Sequence, residues 1–381
     1  MKIKKKVILM GMVLLFFLVS CKQSDTNTKV IQNYRSGYDG IEMRFLDNAP
    51  PSEIYYTSPA AQGEQTASRV PIGIEIRDKG AEKAYGVLSF NLDGYTDIKP
   101  SSVDTVPYSS TNVYRIGDIN NGYLEGRRKE NPNGDIRIFT VLATPAPLSR
   151  QAEQFKSTII ATACYNYRTE FDPEVCIDTD IYNMKVAGKV CKVADVSGGG
   201  GQGGPVAVDN VEVSMLPRDN GVVPHFTLTI RNSGNGEVLV FGKDKDVCSQ
   251  AAPGSKSTNF NIVRVSAFMG DKGIVSLTCY PKKNEIFKDA EGYQEGEYDF
   301  GYARLTDKVG TVICSYNGVL PPDKQGNYVA KARFVLDYAY TTSISKEVLI
   351  KVPLPKNRIP IGAGRSPQPS DIPIETRSGY D

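Results

Sequence analysis

The sequence lacks several residues on which catalytic and metal sites commonly depend. It has no tryptophan and one histidine, His225, among 381 residues. No Cys-x-x-Cys pair occurs, so we expect no zinc site built from thiolates and imidazoles. Any Ser–His–Asp arrangement would have to use His225, which follows Pro224 where an alternating segment begins. We interpret His225 as a partly exposed residue at a strand end.

Beyond residue 20 the sequence also lacks an apolar run of the roughly 20 residues that span a bilayer. The first twenty residues differ, because four lysines within residues 2–6 precede an uncharged stretch at residues 7–19. This order is typical of a signal peptide, predicted here as residues 1–20. An ordinary secretory signal and an uncleaved N-terminal anchor are the alternatives.

The end of this segment, Leu18-Val19-Ser20-Cys21, resembles a lipobox, in which the cysteine is acylated and becomes the new N-terminus. The resemblance implies lipid attachment at Cys21 and a position on the extracytoplasmic side of a membrane. The polar residues that follow predict a flexible tether over residues 21–40.

The sequence also has no large excess of acidic or basic residues. Without the four lysines of the signal peptide, 41 basic residues face 43 acidic ones, a formal charge of −2. This balance gives no reason to expect a nucleic-acid partner. The expected contact with the membrane is the lipid anchor alone.

Helical periodicity is nearly absent, whereas alternation with period two is common. Residues 70–76, 226–230 and 328–340 each alternate apolar side chains with others. Such segments form strands with one face toward a core, and turn-rich stretches separate them. The sequence therefore predicts an all-β protein of two tandem immunoglobulin-like antiparallel β-sandwich domains.

An internal repeat supports the division into two domains. Residues 74–80 match residues 228–234, and residues 165–177 match residues 338–350 without a gap. We interpret the second match as the final hairpin of each domain. The predicted boundaries are domain one at 41–196, a flexible glycine-rich linker at 197–205, domain two at 206–352, and a Pro-rich disordered or polyproline tail at 353–381.

Six cysteines follow Cys21, and an even number in an exported chain predicts disulfides. The alternation of residues 328–340, carried to residues 165–177 through the repeat, predicts that Tyr165, Tyr167, Tyr338 and Tyr340 face inward. The same phase places Cys164 and Cys176 on the outward face of one hairpin, which favours a bond between them. We also favour Cys279–Cys314 within domain two, which leaves Cys191–Cys248 between the domains. Cys176–Cys191 is the alternative.

The strand ends at residues 77–80 and 231–234, each followed by an aliphatic strand at residues 87–90 and 238–241, are similar to the CARDB type of cell-adhesion-related domain. That family belongs to bacterial and archaeal surface proteins. The resemblance implies a non-catalytic role in adhesion, spacing or envelope assembly, with a surface protein or polysaccharide as partner. It supplies no catalytic residues.

Acidic segments offer an alternative function. Asp178 and Asp180 are the best candidates for a calcium site, although solvated turns are the favoured interpretation and no cofactor is expected. A surface hydrolase using carboxylates, with or without calcium, is the second hypothesis. An accessory subunit of an export or filament machine is the third.

The pentapeptide Arg-Ser-Gly-Tyr-Asp occurs twice, at residues 35–39 and as the last five residues, 377–381. Chance is one explanation of the repeat. A short recognition motif carried on both tails is the other.

Overall fold

A computed structural model describes residues 34–56, 69–101, 107–108, 112–117, 122–146, 148, 152–184, 188–248, 259–270, 274–286, 300–322 and 326–351. The predicted signal peptide, Cys21, most of the tether and the tail at 353–381 lie outside these residues. The regular secondary structure of the described residues is almost entirely β-strand, as the alternation predicted. Neither of its two short helices has the length and apolarity needed to cross a membrane.

The strands are β1 (Ile41–Phe45), β2 (Glu53–Tyr55), β3 (Val70–Asp78), β4 (Tyr85–Leu92), β5 (Tyr95–Pro100), β6 (Val113–Gly117), β7 (Ile136–Pro145), β8 (Gln154–Phe171), β9 (Glu174–Asp178), β10 (Val196–Ser197), β11 (Val206–Arg218), β12 (Gly221–Asn232), β13 (Val238–Leu239), β14 (Ile262–Gly270), β15 (Val275–Tyr280), β16 (Gly301–Arg304), β17 (Val309–Ser315) and β18 (Asn327–Lys351). The helices are α1 (Asp244–Cys248) and α2 (Lys283–Ile286).

These strands form two hydrogen-bonded sheets that pack against each other in a β-sandwich arrangement. The smaller sheet has the order β1-β3-β7-β5. The larger has the order β10-β11-β12-β17-β15-β14-β18-β8-β4-β6, with β2, β9 and β13 attached to β18 and β16 attached to β14. Alternation explains the packing, because Ile72, Ile74 and Ile76 of β3 are fully buried in the core.

The predicted final hairpins are wrong. In each half of the chain the two predicted strands of the hairpin follow one another in the same direction instead of folding back. β18 runs without interruption for 25 residues. β8 pairs with its second part, from Tyr167 opposite Tyr338 to Gln154 opposite Lys351. After a break at residues 172–173 the chain continues in the same direction as β9, which pairs with the start of β18. The two halves of the chain therefore share a pair of long strands.

The predicted flexible linker at 197–205 is also not what the structure shows. Gln202 is buried, and its side-chain amide group bonds with Val208 in both directions, donating to its carbonyl and accepting from its N–H. Gly203 accepts a hydrogen bond from Ala81 N–H (2.7 Å), and Pro205 accepts one from Ser233 N–H (2.9 Å). Glycine is needed here because the backbone passes close to other chain segments, and not because the segment is loose.

A second, smaller core lies on the other face of the large sheet. It contains Val87, Val113, Cys164, Leu239, Cys248 and Ala339. Helix α1 covers it and contacts β4 and β8. Cys164 points away from the main core, as predicted. It is nevertheless fully buried, because α1 covers this face of the sheet.

Candidate binding surface

Three disulfides connect the six cysteines of the described chain: Cys164–Cys248, Cys176–Cys191 and Cys279–Cys314. The favoured bond between Cys279 and Cys314 is present, and so is the alternative Cys176–Cys191. The predicted Cys164–Cys176 bond is wrong, because both residues lie along the same continuous edge of β18. Twelve residues of extended chain separate them by roughly 40 Å. The predicted Cys191–Cys248 bond is wrong as well, because these cysteines bond to Cys176 and Cys164.

Three disulfides indicate an oxidising, extracytoplasmic environment. The structure thus supports the coarse part of the predicted location. Lipid attachment at Cys21 stays a prediction, since that residue lies outside the described chain.

The Cys176–Cys191 bond closes a loop with sequence separation 15, here named the 176–191 loop. Its first part carries the calcium candidates. The Asp178 carboxylate accepts hydrogen bonds from the Asp180 N–H (2.9 Å) and from the Lys189 ammonium group. The Asp180 carboxylate accepts one from the Met184 N–H (2.9 Å). Both aspartates therefore hold the loop in shape.

This arrangement does not resemble a calcium site. The Lys189 ammonium group contacts Asp178 and also donates to the Asp180 carbonyl (2.9 Å), so a cation already lies against these oxygens. Among the residues that the structure describes, no group of three or more His, Cys, Asp or Glu side chains is placed to hold a metal.

The loop also exposes three large apolar side chains. Tyr182 is 71% exposed, Met184 82% and Val190 72%. Such exposure of large apolar side chains on one short loop is typical of an interaction surface, in which tyrosine and methionine are enriched.

The loop is attached to the sheet by Asn327, the first residue of β18. The buried Asn327 side chain accepts a hydrogen bond from the Val190 N–H (2.8 Å) and donates to the Cys191 carbonyl. Val329, two residues further and on the same face of β18, is 45% exposed. The exposed side chains thus stand on a rigid frame of disulfide, ion pair and strand.

Sequence reasoning did not find this surface. The available signal was the spacing of Cys176 and Cys191, with Asp178 and Lys189 just inside the two cysteines and apolar residues between them. That pattern indicates a closed loop, but it does not show which side chains face solvent.

The structure places His225 within β12, opposite Ser315 of β17. Its Nδ1 lies 2.8 Å from the Ser315 hydroxyl. The strand begins at Gly221, so the predicted strand-end position is wrong, although the side chain is partly exposed as predicted. The pair is a cross-strand polar contact on an open sheet face.

A row of four buried tyrosines lies where β8 meets β18: Tyr165, Tyr167, Tyr338 and Tyr340. The phase of the sequence predicted this inward orientation. Their hydroxyls bond to backbone and side-chain groups of both halves, such as Ile41 N–H with Tyr165 (3.1 Å) and Gly236 N–H with Tyr340 (2.7 Å). Burial raises the pKa of all four, that of Tyr340 to about 12.

Asp78 and Asn232 occupy equivalent places beside this row. Asp78 accepts hydrogen bonds from Gly80 N–H (2.9 Å) and the Tyr167 hydroxyl (3.2 Å). Asn232 accepts them from Gly234 N–H and the Tyr340 hydroxyl, both at 3.1 Å. Asn232 also donates from its amide nitrogen to Gly236 O (2.9 Å), whereas the second carboxyl oxygen of Asp78 is buried without a hydrogen-bond partner. Burial raises the pKa of Asp78 to about 7.

Comparisons with known proteins give little guidance. No family model and no curated protein sequence matches the chain. Among solved structures, the chain has a low similarity to the CupB6 tip adhesin from Pseudomonas aeruginosa. The sequence identity is 8%, and the TM-score is 0.16 over 83% of this chain and 99% of the other. A similarity at this level supports no statement about this protein.

Proposed function

We propose that the protein is a non-catalytic surface lipoprotein, attached through Cys21, that binds another surface protein through the 176–191 loop. One observation carries the proposal: a disulfide-closed loop on a rigid β-frame exposes Tyr182, Met184 and Val190. The large apolar side chains favour a protein partner over a polysaccharide. The role is adhesion, spacing or envelope assembly.

The internal bonds of the candidate carboxylates also support a non-catalytic role. Asp178 is paired with Lys189, and Asp180 with backbone N–H. A general acid or a nucleophile needs a carboxylate that can reach a substrate. We therefore prefer binding to hydrolysis.

We further propose that the two halves are related immunoglobulin-like units of the CARDB type. The equivalent bonding of Asp78 with Tyr167 and of Asn232 with Tyr340 supports this relationship. Both pairs fall at matching positions of the sequence repeat. The proposed units are the domains predicted from the sequence, at residues 41–196 and 206–352.

The loop variant Tyr182→Ser/Met184→Ser is expected to weaken binding to envelope material of the source cell at least tenfold. The two side chains would be central contacts of the interface, where a few large residues supply most of the affinity. Binding of the purified protein to solubilised envelope fractions is measured by biolayer interferometry. Protease treatment of the envelope should abolish the signal, and periodate oxidation of its sugars should not.

The matched control is Ile136→Ser/Ile138→Ser. It removes two other exposed apolar side chains, 45% and 46% exposed, which lie on β7. The proposal predicts unchanged binding for this control. Equal losses for both variants would refute the loop as the binding surface, and a signal lost with periodate alone would establish a polysaccharide partner instead.

Replacing Cys21 with serine is expected to move the protein from the membrane fraction to the soluble extracytoplasmic fraction. Two or three acyl chains anchor a protein firmly, at about 0.8 kcal/mol for each buried methylene. Intact mass of the native protein should show a chain that starts at Cys21 with acyl groups and gains six protons on reduction. An unacylated native protein would contradict the anchor and leave the loop proposal to its own test.

A further inference from the structure

The outer face of one part of the large sheet is almost free of charge. Strands β11, β12, β17 and β15 lie side by side there, and their register aligns the outward side chains in three rows. The first row holds Ser214, His225, Ser315 and Thr278, the second Glu212, Thr227, Ile313 and Tyr280, and the third Asn210, Thr229 and Thr311. Glu212 is the one acidic residue, and the rows contain no lysine or arginine. More than half of the residues are serine or threonine, so we call these three rows the hydroxyl face.

The hydroxyl face is open to solvent, whereas the other side of the same strands belongs to the core. In the second row Tyr280 is 48% and Ile313 38% exposed, and Thr311 of the third row is exposed as well. Thr278, at the margin of the first row, is buried and donates a hydrogen bond to the Asn317 side chain. A ligand can therefore reach each of the three rows from solvent.

The equivalent face in the first half of the chain is built differently. The sequence repeat aligns Glu75 of β3 with Thr229 of β12. The Glu75 carboxylate forms ion pairs with Arg44 (2.6 Å) on the neighbouring strand and with Arg77 (3.4 Å) on its own. The same place in the fold thus accepts a network of charges. The neutral character of the hydroxyl face is therefore not a requirement of strand pairing.

We infer that the hydroxyl face binds a neutral, β-linked polysaccharide. Such a polymer carries hydroxyl groups, which donate and accept hydrogen bonds as serine and threonine hydroxyls do. It also carries the apolar C–H faces of its sugar rings, and Tyr280 and Ile313 form an adjacent pair on which one such face can pack. Its extended chain can lie along the surface of a sheet. This inference does not depend on the proposed function of the 176–191 loop.

The charges around the face favour a neutral ligand. A nucleic acid, an anionic polysaccharide or a charged protein surface is recognised through an excess of the opposite charge. Here Glu212 lies at one end of the second row, and at the other end the Lys282 ammonium group lies 4.9 Å from the centroid of the Tyr280 ring. Beside the third row, Asp209 and Arg231 pair with each other (2.9 Å). These charges cancel in sum.

The size of the face favours a short stretch of polymer over a second protein. Strands lie about 4.8 Å apart and alternate residues about 6.8 Å apart, so four strands and three rows cover about 400 Å². A stable protein interface buries about 800 Å² on each partner. A contact of half that size binds weakly, and a polymer gains affinity by engaging several molecules at once. The weak contact does not alter the result expected for the loop variant, which concerns tight binding.

Affinity electrophoresis tests the inference, because a polymer in a native gel slows even a weakly binding protein. The purified protein is run in gels that contain hydroxyethyl cellulose, galactomannan or arabinoxylan, three neutral β-linked polysaccharides, and in a gel without polymer. Relative to a reference protein that binds none of them, we expect at least a twofold loss of mobility with one or more of the three. Dextran, which is α-linked, and carboxymethyl cellulose, which is anionic, should leave the mobility unchanged.

Two substitutions on different strands test the contact. Tyr280→Ser removes the exposed ring, and Thr311→Lys places a charge in the third row at an exposed position. Each should restore the mobility seen without polymer, and urea unfolding of both variants should show that they are folded. Ile136→Ser/Ile138→Ser, which changes exposed side chains of β7 in the first half, should keep the full retardation.

The outcomes separate this surface from the loop and from self-association. Unchanged mobility of the parent protein in all three neutral gels would overturn the inference, and so would equal retardation of the parent and both variants or by carboxymethyl cellulose. Light scattering that shows a dimer, dissociated by both substitutions, would assign the face to a second copy of the chain instead. The loop variant Tyr182→Ser/Met184→Ser should keep its retardation, so failure of one proposal is distinguishable from failure of the other.

Discussion

Asp78→Asn is expected to raise the free energy of unfolding by about 4 kcal/mol at pH 8 and to leave it almost unchanged near pH 4. The Asp78 carboxyl group is fully buried, and burial raises its pKa to about 7. The charge of Asp135 also raises this pKa, whereas the bonds from Gly80 and Tyr167 and the charge of Arg127 lower it.

The direction of the effect follows from proton binding. In an unfolded chain an aspartate has a pKa of about 3.9. Between about pH 4 and pH 7 the folded protein retains a proton that the unfolded chain has lost, so stability falls by up to about 1.4 kcal/mol for each pH unit as the pH rises. Above pH 7 the folded protein carries a buried carboxylate. Asparagine stays neutral at every pH and keeps an oxygen that accepts from Gly80 and Tyr167.

Urea unfolding of both proteins between pH 4 and pH 8.5 measures this difference. Asp209→Asn is a suitable control, because Asp209 forms an exposed ion pair with Arg231 (2.9 Å) and its loss should change stability by less than about 1 kcal/mol. Parallel stability curves for wild type and Asp78→Asn across this pH range would contradict a raised pKa at Asp78.

The second large effect is expected on removing the Cys164–Cys248 bond with two alanines. Its sequence separation of 84 is the largest of the three disulfides. Constraint of the unfolded chain then predicts a loss of about 4.5 kcal/mol in the free energy of unfolding. The same change releases α1, which covers Val87, Leu239 and Ala339. Exposure of these side chains should increase binding of the dye ANS.

Cys176→Ala/Cys191→Ala provides the comparison. It opens a shorter loop, for which the same model gives about 3 kcal/mol, and it leaves the small core covered. Urea unfolding and ANS fluorescence of the two variants separate the effects. A loss below about 1 kcal/mol for the Cys164–Cys248 variant, or equal ANS binding by both, would show that this bond does not hold α1 in place.

The sequence by itself determined which segments are strands and which of their faces is buried. Ile74, Tyr165 and Tyr340 were assigned to the core from alternation alone, and all three are buried. This succeeds because side chains alternate across a strand whatever its partner is. The need for disulfides likewise followed from an even cysteine count in an exported chain.

Only the tertiary structure decided which strands pair. The break at residues 172–173 reads as a hairpin turn, but β9 continues along β18 because that strand is long enough to pair with both segments. Because of this pairing, Cys164 and Cys176 are far apart and each bonds to another cysteine. A disulfide requires proximity in space, which the order of the chain does not reveal.

The tertiary structure also decided the roles of the glycine-rich segment and of the 176–191 loop. Flexibility is the usual property of such a composition, but Gly201 and Gly203 are needed where another backbone passes within contact. Whether Tyr182 and Met184 are exposed depends on which other segments pack against them. Those segments lie far away in the sequence, so the local pattern does not show the outcome. Local pattern fixes the strand and its inward face, whereas the contacts between distant segments fix the pairing, the disulfides and the exposed surface.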